Sequence, residues 1–149
     1  MKYSEKVAKQ LNELLEKNYD AEKGYKTAAE NVKNNDLKAY FNKRAQERYN
    51  FGHEIKNEIK SFGESPDKGT SVKGDLHRTW MNIKSALSAN SEESILEETI
   101  RGEKAAAEEY TEVLKETSLP LSTTTILKKH RDNISEALND VKRFESSFS

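Results

Sequence analysis

The chain has 149 residues, a size suited to one domain, with 34% hydrophobic and 34% charged residues, 2 Pro, 6 Gly and no Cys. So few turn formers exclude sandwiches and meanders, and the missing cysteines exclude disulfides, thiol catalysis and thiolate metal sites. A net charge of -1 gives no long-range attraction to nucleic acid or anionic lipid, and no apolar run reaches the roughly 18 residues of a membrane span. Met1-Lys2-Tyr3-Ser4-Glu5-Lys6 lacks the apolar stretch of a secretion signal, so a cytoplasmic location is expected.

In the first segment Ala8, Leu11, Leu15, Asn18, Glu22, Tyr25, Ala29 and Val32 recur at spacings of three and four. That periodicity predicts one continuous helix over about 3–33. Asn34-Asn35-Asp36 supplies a stop and an N-cap. A second helix over about 36–62 carries Leu37, Phe41, Arg44, Arg48, Phe51, Ile55, Ile59 and Phe62 on one face. Gly63, Pro66, Asp67 and Gly69 mark a loop, after which Val72, Leu76, Trp80, Ile83 and Leu87 predict a shorter helix over 72–88. Ser91 caps a third long helix over 91–117, with Leu96, Thr99, Glu103, Ala106, Tyr110 and Val113 on its stripe. Pro120 opens the fourth, over 120–147, with Leu127, His130, Ile134, Ala137, Val141, Phe144 and Phe148. Its first turn is poorly specified, because Ser122-Thr123-Thr124-Thr125 is a weak helix former.

Leu15-Glu16 and Glu22-Lys23 recur 81 residues later as Leu96-Glu97 and Glu103-Lys104, with Leu14 matched by Ile95. A duplicated helical hairpin leaves such a trace. The expected architecture over 1–149 is all-α: a ferritin-like four-helix bundle of two antiparallel hairpins, joined by a long crossover with a short extra helix. A plain up-down bundle of five helices is the alternative.

Charges on apolar stripes are the informative feature, since a buried charge must be paired or bind metal. Asn18 and Glu22 interrupt the first stripe, Arg44 and Arg48 the second, Glu103 the third and His130 the fourth. Glu22 and Glu103 are the repeat-related pair, expected across a pseudo-two-fold axis. Gly24, Gly52 and Gly102 fall inside helices near this level, which calls for a packing or site reason.

Two chemistries compete for these residues. Glu22, Glu47, Glu103 and His130 could ligate iron or manganese, oxygen and imidazole donors suiting both ions. A dinuclear bundle site, however, takes a Glu-x-x-His pair from each of two helices. Here Glu47 is followed at that spacing by Asn50, and Asp132 by Ser135. The preferred reading is a metal-free network of Asn18, Glu22, Arg44, Arg48, Glu103 and His130, in which guanidinium groups satisfy carboxylates. His53 is expected at the surface and His77 beside Trp80 in packing, while Tyr19, Tyr25, Tyr40, Tyr49 and Tyr110 are expected at the edge of the core. No Gly-rich phosphate loop, Gly-x-Ser-x-Gly or His-Glu-x-x-His motif occurs, and no small-molecule substrate can be named.

Four segments in order, Asp20-Ala21-Glu22-Lys23-Gly24-Tyr25, Arg44-Ala45-Gln46-Glu47-Arg48, Gly74-Asp75-Leu76-His77-Arg78-Thr79-Trp80 and Arg101-Gly102-Glu103, carry a resemblance. The chain resembles a bacterial family of small ferritin-like four-helix-bundle proteins classed as a domain of unknown function, from about Leu11 to the last helix. The resemblance implies a ferritin-like fold with a crossover, and no established activity. The wider group holds iron stores, rubrerythrins and diiron oxidases. Of their ligand pattern this chain matches Glu22, Glu103 and Glu47 and lacks the two following histidines. The expectation is therefore a non-enzymatic structural, stress-related or partner-binding bundle without cofactor; the alternatives are a divergent diiron or dimanganese carboxylate protein, metal-binding or oxidoreductase, and a bundle whose outer faces bind a second copy of the chain or a partner helix.

Overall fold

The computed structural model describes residues 2–67, 92–116 and 118–148. Among the described residues four helices are seen: α1 (Tyr3–Asn31), α2 (Asn35–Ser61), α3 (Glu92–Leu114) and α4 (Leu121–Phe148). α1 packs along α2, and α3 along α4, as two hairpins; α1 also meets α3, and α2 meets α4. This is an all-α four-helix bundle. The helix expected over 72–88, with His77 and Trp80, lies outside the described residues, as does Ser91.

Local chemistry accounts for the helix ends. Asn34 caps α2, its Oδ1 accepting from Leu37 N at 2.9 Å, with Asp36 in the favourable first turn. α2 closes in a Schellman turn: Gly63 N–H donates to Lys60 O and Glu64 N–H to Ile59 O. Gly63 adopts φ 75°, where a side chain would strain the backbone. α4 begins directly after Pro120 despite its threonine run. Burial outweighs propensity there, since Thr123 is fully buried and donates to Glu58 Oε1 at 2.6 Å.

Contacts between the ends give the directions. Tyr3, at the start of α1, donates to Ser118 O beyond the end of α3, so these two run antiparallel. Thr123, in the first turn of α4, meets Glu58 near the end of α2, so that pair is antiparallel too. α2 and α3 are then parallel, which puts Ser61 and Glu92 at opposite ends of the bundle. Residues leaving α2 already turn back along α1. Glu64 accepts from Ser4, Asp67 N–H donates to Asn12 Oδ1, and Asp67 O accepts from Tyr19.

The apolar core is in two parts. One holds Leu11, Leu14, Leu15, Ile55, Ile59 and Leu127, and the other Ala21, Ala28, Leu37, Phe41, Leu96 and Val141. Buried polar side chains of all four helices share the stripes with these apolar residues. No described helix is long and apolar enough to cross a membrane.

Candidate functional site

α2 supplies two cations. Arg44 and Arg48 are four residues apart, so they project from one face of the helix, and both are buried. Both reach Glu103 on α3, which is 0% exposed. Arg44 Nη2 donates to Glu103 Oε2 at 2.8 Å, and Arg48 Nη1 donates to Oε1 in a short contact. From α1 the Tyr25 hydroxyl donates to Oε2 at 2.7 Å. Three donors thus crowd one carboxylate. Burial alone would raise the Glu103 pKa; Arg48, Arg44 and the Tyr25 hydrogen bond outweigh it and hold the group below its ordinary 4.5. Burial likewise opposes the charge on Arg44, yet Glu103 beside it raises its pKa further. Tyr25 is pushed well above the tyrosine range by burial, then by the Glu103 charge, and stays protonated as a donor.

At the edge of this cluster Arg44 Nη1 donates to Glu47 Oε1 at 3.2 Å and to Asn133 Oδ1 of α4, and Asn133 Nδ2 donates to Glu47 Oε2 at 3.0 Å. Two guanidinium groups and two carboxylates therefore balance in charge within one hydrogen-bonded unit.

A second arm leaves the cluster through α1. Arg48 Nε donates to Asn18 Oδ1 at 2.6 Å. Asn18 Nδ2 donates to Leu14 O and to the Tyr110 hydroxyl, both at 2.9 Å. Tyr110 is 2.9 Å from His130 Nδ1, and His130 Nε2 is 2.9 Å from Glu54 Oε1. Lys129 donates to the other oxygen of Glu54 at 2.6 Å. The His130 ring stacks on Phe51 with centroids 4.0 Å apart. Burial lowers the His130 pKa from 6.5 to about 4 against the pull of Glu54, so the ring is neutral at neutral pH.

Of the residues singled out above, Asn18, Arg44, Arg48, Glu103 and His130 are joined in one network, with Glu47 half-buried at its rim. Glu22 is not part of it. It lies on the flank of α1 and pairs with Lys26 at 2.8 Å, a correction to its expected place opposite Glu103. The inward positions of α1 run Asn18, Ala21, Tyr25 and Ala28. Glu22, one residue past Ala21, is turned about 100° aside. Tyr25 instead meets Glu103. Tyr25 and Tyr110, expected at the core edge, are 0% exposed and take part in the network. Glu54 and Asn133 were also missed. Spacing held a signal for three of the four: Tyr25 follows Asn18, Tyr110 follows Glu103 and Glu54 follows Glu47 by seven residues each, two turns along one face. His53 is exposed, edge-on to Tyr49 at 4.5 Å.

A dinuclear metal centre does not fit these residues. Both oxygens of Glu103 are taken by donors. His130 offers no free lone pair, because Nδ1 faces Tyr110 and Nε2 faces Glu54. The unpaired buried atoms of the cluster are Arg44 Nε and Arg48 Nη2, which are N–H donors and would repel a cation. Among the described residues no three His, Asp or Glu side chains are grouped to hold a metal ion.

No curated protein matches the sequence. A family described as Domain of unknown function (DUF2383) matches residues 6–116, from α1 through α3. That span includes Asn18, Arg44, Arg48, Glu54, Glu103 and Tyr110, while His130 and Asn133 of α4 lie beyond it. With most of its length matched, the chain belongs to the DUF2383 family.

Proposed function

We propose that this chain is a non-enzymatic, ferritin-like structural bundle, whose arginine–carboxylate core occupies the level at which metal-dependent bundles gather ions, and whose outer helix faces serve a protein partner. The ferritin-like assignment is supported by topology: two hairpins, with α2 and α3 parallel, require a connection that runs from one end of the bundle to the other. The observation that carries the metal-free reading is the double engagement of Glu103 by Arg44 and Arg48. A carboxylate held by two guanidinium groups and a tyrosine has three of its about four lone-pair positions filled, and the two arginines supply the counter-charge a metal would provide. A buried set of this kind favours one register of the four helices, because its hydrogen bonds run from α2 to α1, α3 and α4 and a shifted register would break them.

The test is metal content by plasma mass spectrometry, after purification without chelator and aerobic reconstitution with Fe(II) and Mn(II). Metal at background in the folded protein is expected. About two ions per chain, the stoichiometry of a dinuclear centre, lost in Glu103→Ala, would overturn the proposal. A sedimentation concentration series separates a monomer that serves other partners from a self-associating one.

A further inference from the structure

The arm from Arg48 to Glu54 has a direction. Asn18 accepts from Arg48 Nε through Oδ1, so its amide group faces the other way and donates to Leu14 O and to Tyr110. The oxygen of Tyr110 is thereby an acceptor, and its own hydrogen is free to point at His130 Nδ1. Ionised Glu54 can only accept, so Nε2 carries the hydrogen donated to its Oε1, and Nδ1 of the neutral ring is bare and accepts from Tyr110. Every donor in the chain points outward, from a buried guanidinium to a carboxylate at the rim. Neutral His130 in this one tautomer satisfies all of them.

The same residues hold α4 in place. Along α2, Glu47, Glu54 and Glu58 line up at spacings of seven and four, and each takes donors from α4: Asn133, then His130 with Lys129, then Thr123. His130 is the member that also ties α4 to α3, through Tyr110.

We infer that His130 is an acid-sensitive latch: protonated at Nδ1, it breaks the bond from Tyr110 and frees α4 from α3, while Nε2–H keeps its hold on Glu54 of α2. A proton arriving at Nδ1 meets the Tyr110 hydrogen already aimed there. The hydroxyl cannot accept in that direction without turning its hydrogen away from the chain, toward the donating amide of Asn18. The charged groups around the ring leave little relief. Among the described residues α2 presents the anion Glu54 and the cation Arg48, α3 presents uncharged Tyr110, and α4 places Lys129 alongside. From α1, uncharged Asn18 is linked to the ring by way of Tyr110. Burial against Phe51 adds to the cost of the charge, in keeping with the fall of the His130 pKa to about 4.

The sign follows from linkage. Unfolding frees the imidazole to take up a proton near its ordinary 6.5, so the unfolded chain binds more protons between that value and about 4. Stability is full above this window and falls as the pH drops through it. Urea unfolding at a series of pH values should show the wild-type unfolding constant rising by about 20-fold between pH 7 and pH 5 from this group. His130→Gln, which cannot titrate, should flatten that rise whatever its stability at pH 7. An equal rise in His130→Gln, or a wild-type constant that does not change, would overturn the proposal. Should the variant fail to fold, nitrogen NMR of the wild-type histidine rings decides instead. A bare Nδ1 and a protonated Nε2 at pH 7, with a midpoint well below that of free histidine, is expected for His130. The opposite tautomer or an ordinary midpoint would sink the latch.

Discussion

The polar layer has two arms that solve the same problem differently. Around Glu103 it is ionic: two guanidinium groups and a tyrosine surround a fully buried carboxylate. Around His130 it is neutral within, with Asn18, Tyr110 and an uncharged imidazole passing hydrogen bonds outward, and charge appears at its two ends, Arg48 inside and Glu54 with Lys129 on the rim. The ionic arm depends on charges remaining, the neutral arm on a charge staying away. They should therefore fail under different perturbations and in different pH ranges. His130 weakens the fold as pH falls from 6.5 toward about 4. Glu103, whose folded pKa lies below 4.5, gives up its contribution only below that value, as it is protonated in turn.

The largest effect should come from breaking the ionic arm at one partner. Arg48→Met leaves Glu103 with one guanidinium group and Asn18 Oδ1 without its donor, and should cost about 3–5 kcal/mol in chemical denaturation. An unchanged unfolding midpoint would remove the premise that this pair is buried and mutually dependent. Replacing Arg44, Arg48 and Glu103 together with apolar residues of similar volume should recover most of the loss, since the cost lies in orphaning a charge rather than in losing the pair. If the triple variant is as unstable as Arg48→Met, the ionic arm contributes more than mutual satisfaction.

Two tyrosine variants then sharpen the contrast. Tyr25→Phe removes a hydrogen bond to an ionised carboxylate and should destabilise by about 1.5–3 kcal/mol. Tyr110→Phe removes neutral bonds and should cost about 1 kcal/mol. It should also do something Tyr25→Phe does not. Without a hydroxyl aimed at Nδ1, neutral His130 loses a stabilising partner, and its NMR titration midpoint should move upward. Equal costs in the two variants with no movement of the His130 midpoint would mean that the arms are not distinct.

Much of this arrangement was legible in the sequence, and the part that was not has a physical reason. Periods of three and four identified the buried faces, so Arg44, Arg48, Glu103 and His130 emerged as polar residues on apolar stripes. A helix, however, has 3.6 residues per turn, and after Asn18 a step of either three or four stays near the same face. The choice between Ala21 and Glu22 is made by what fills the space opposite Glu103, and that is Tyr25. Tyr25 and Tyr110 were illegible in another sense, because a tyrosine on a stripe gives no sign whether its hydroxyl ends in water or on a buried partner. The start of α4 was obscured by the weak propensity of its threonines, which the buried contact of Thr123 with Glu58 overrides.

The smallest expected effect tests that choice of register. The internal repeat equates Glu22 with Glu103, yet their surroundings differ among the described residues: Glu22 pairs with a lysine one turn away whose side chain is 59% exposed, and Glu103 has three donors and no exposure. An exposed pair at that spacing contributes roughly 0.3–0.5 kcal/mol. Glu22→Gln should therefore change stability by less than about 0.5 kcal/mol, and 1 M salt, which screens exposed pairs, should erase even that. Glu103→Gln, measured alongside, should lose several-fold more, because two buried guanidinium groups lose their shared counter-charge. Equal losses would put Glu22 back inside the bundle, opposite Glu103, and would require α1 to be turned by about 100°, the angle of a single residue.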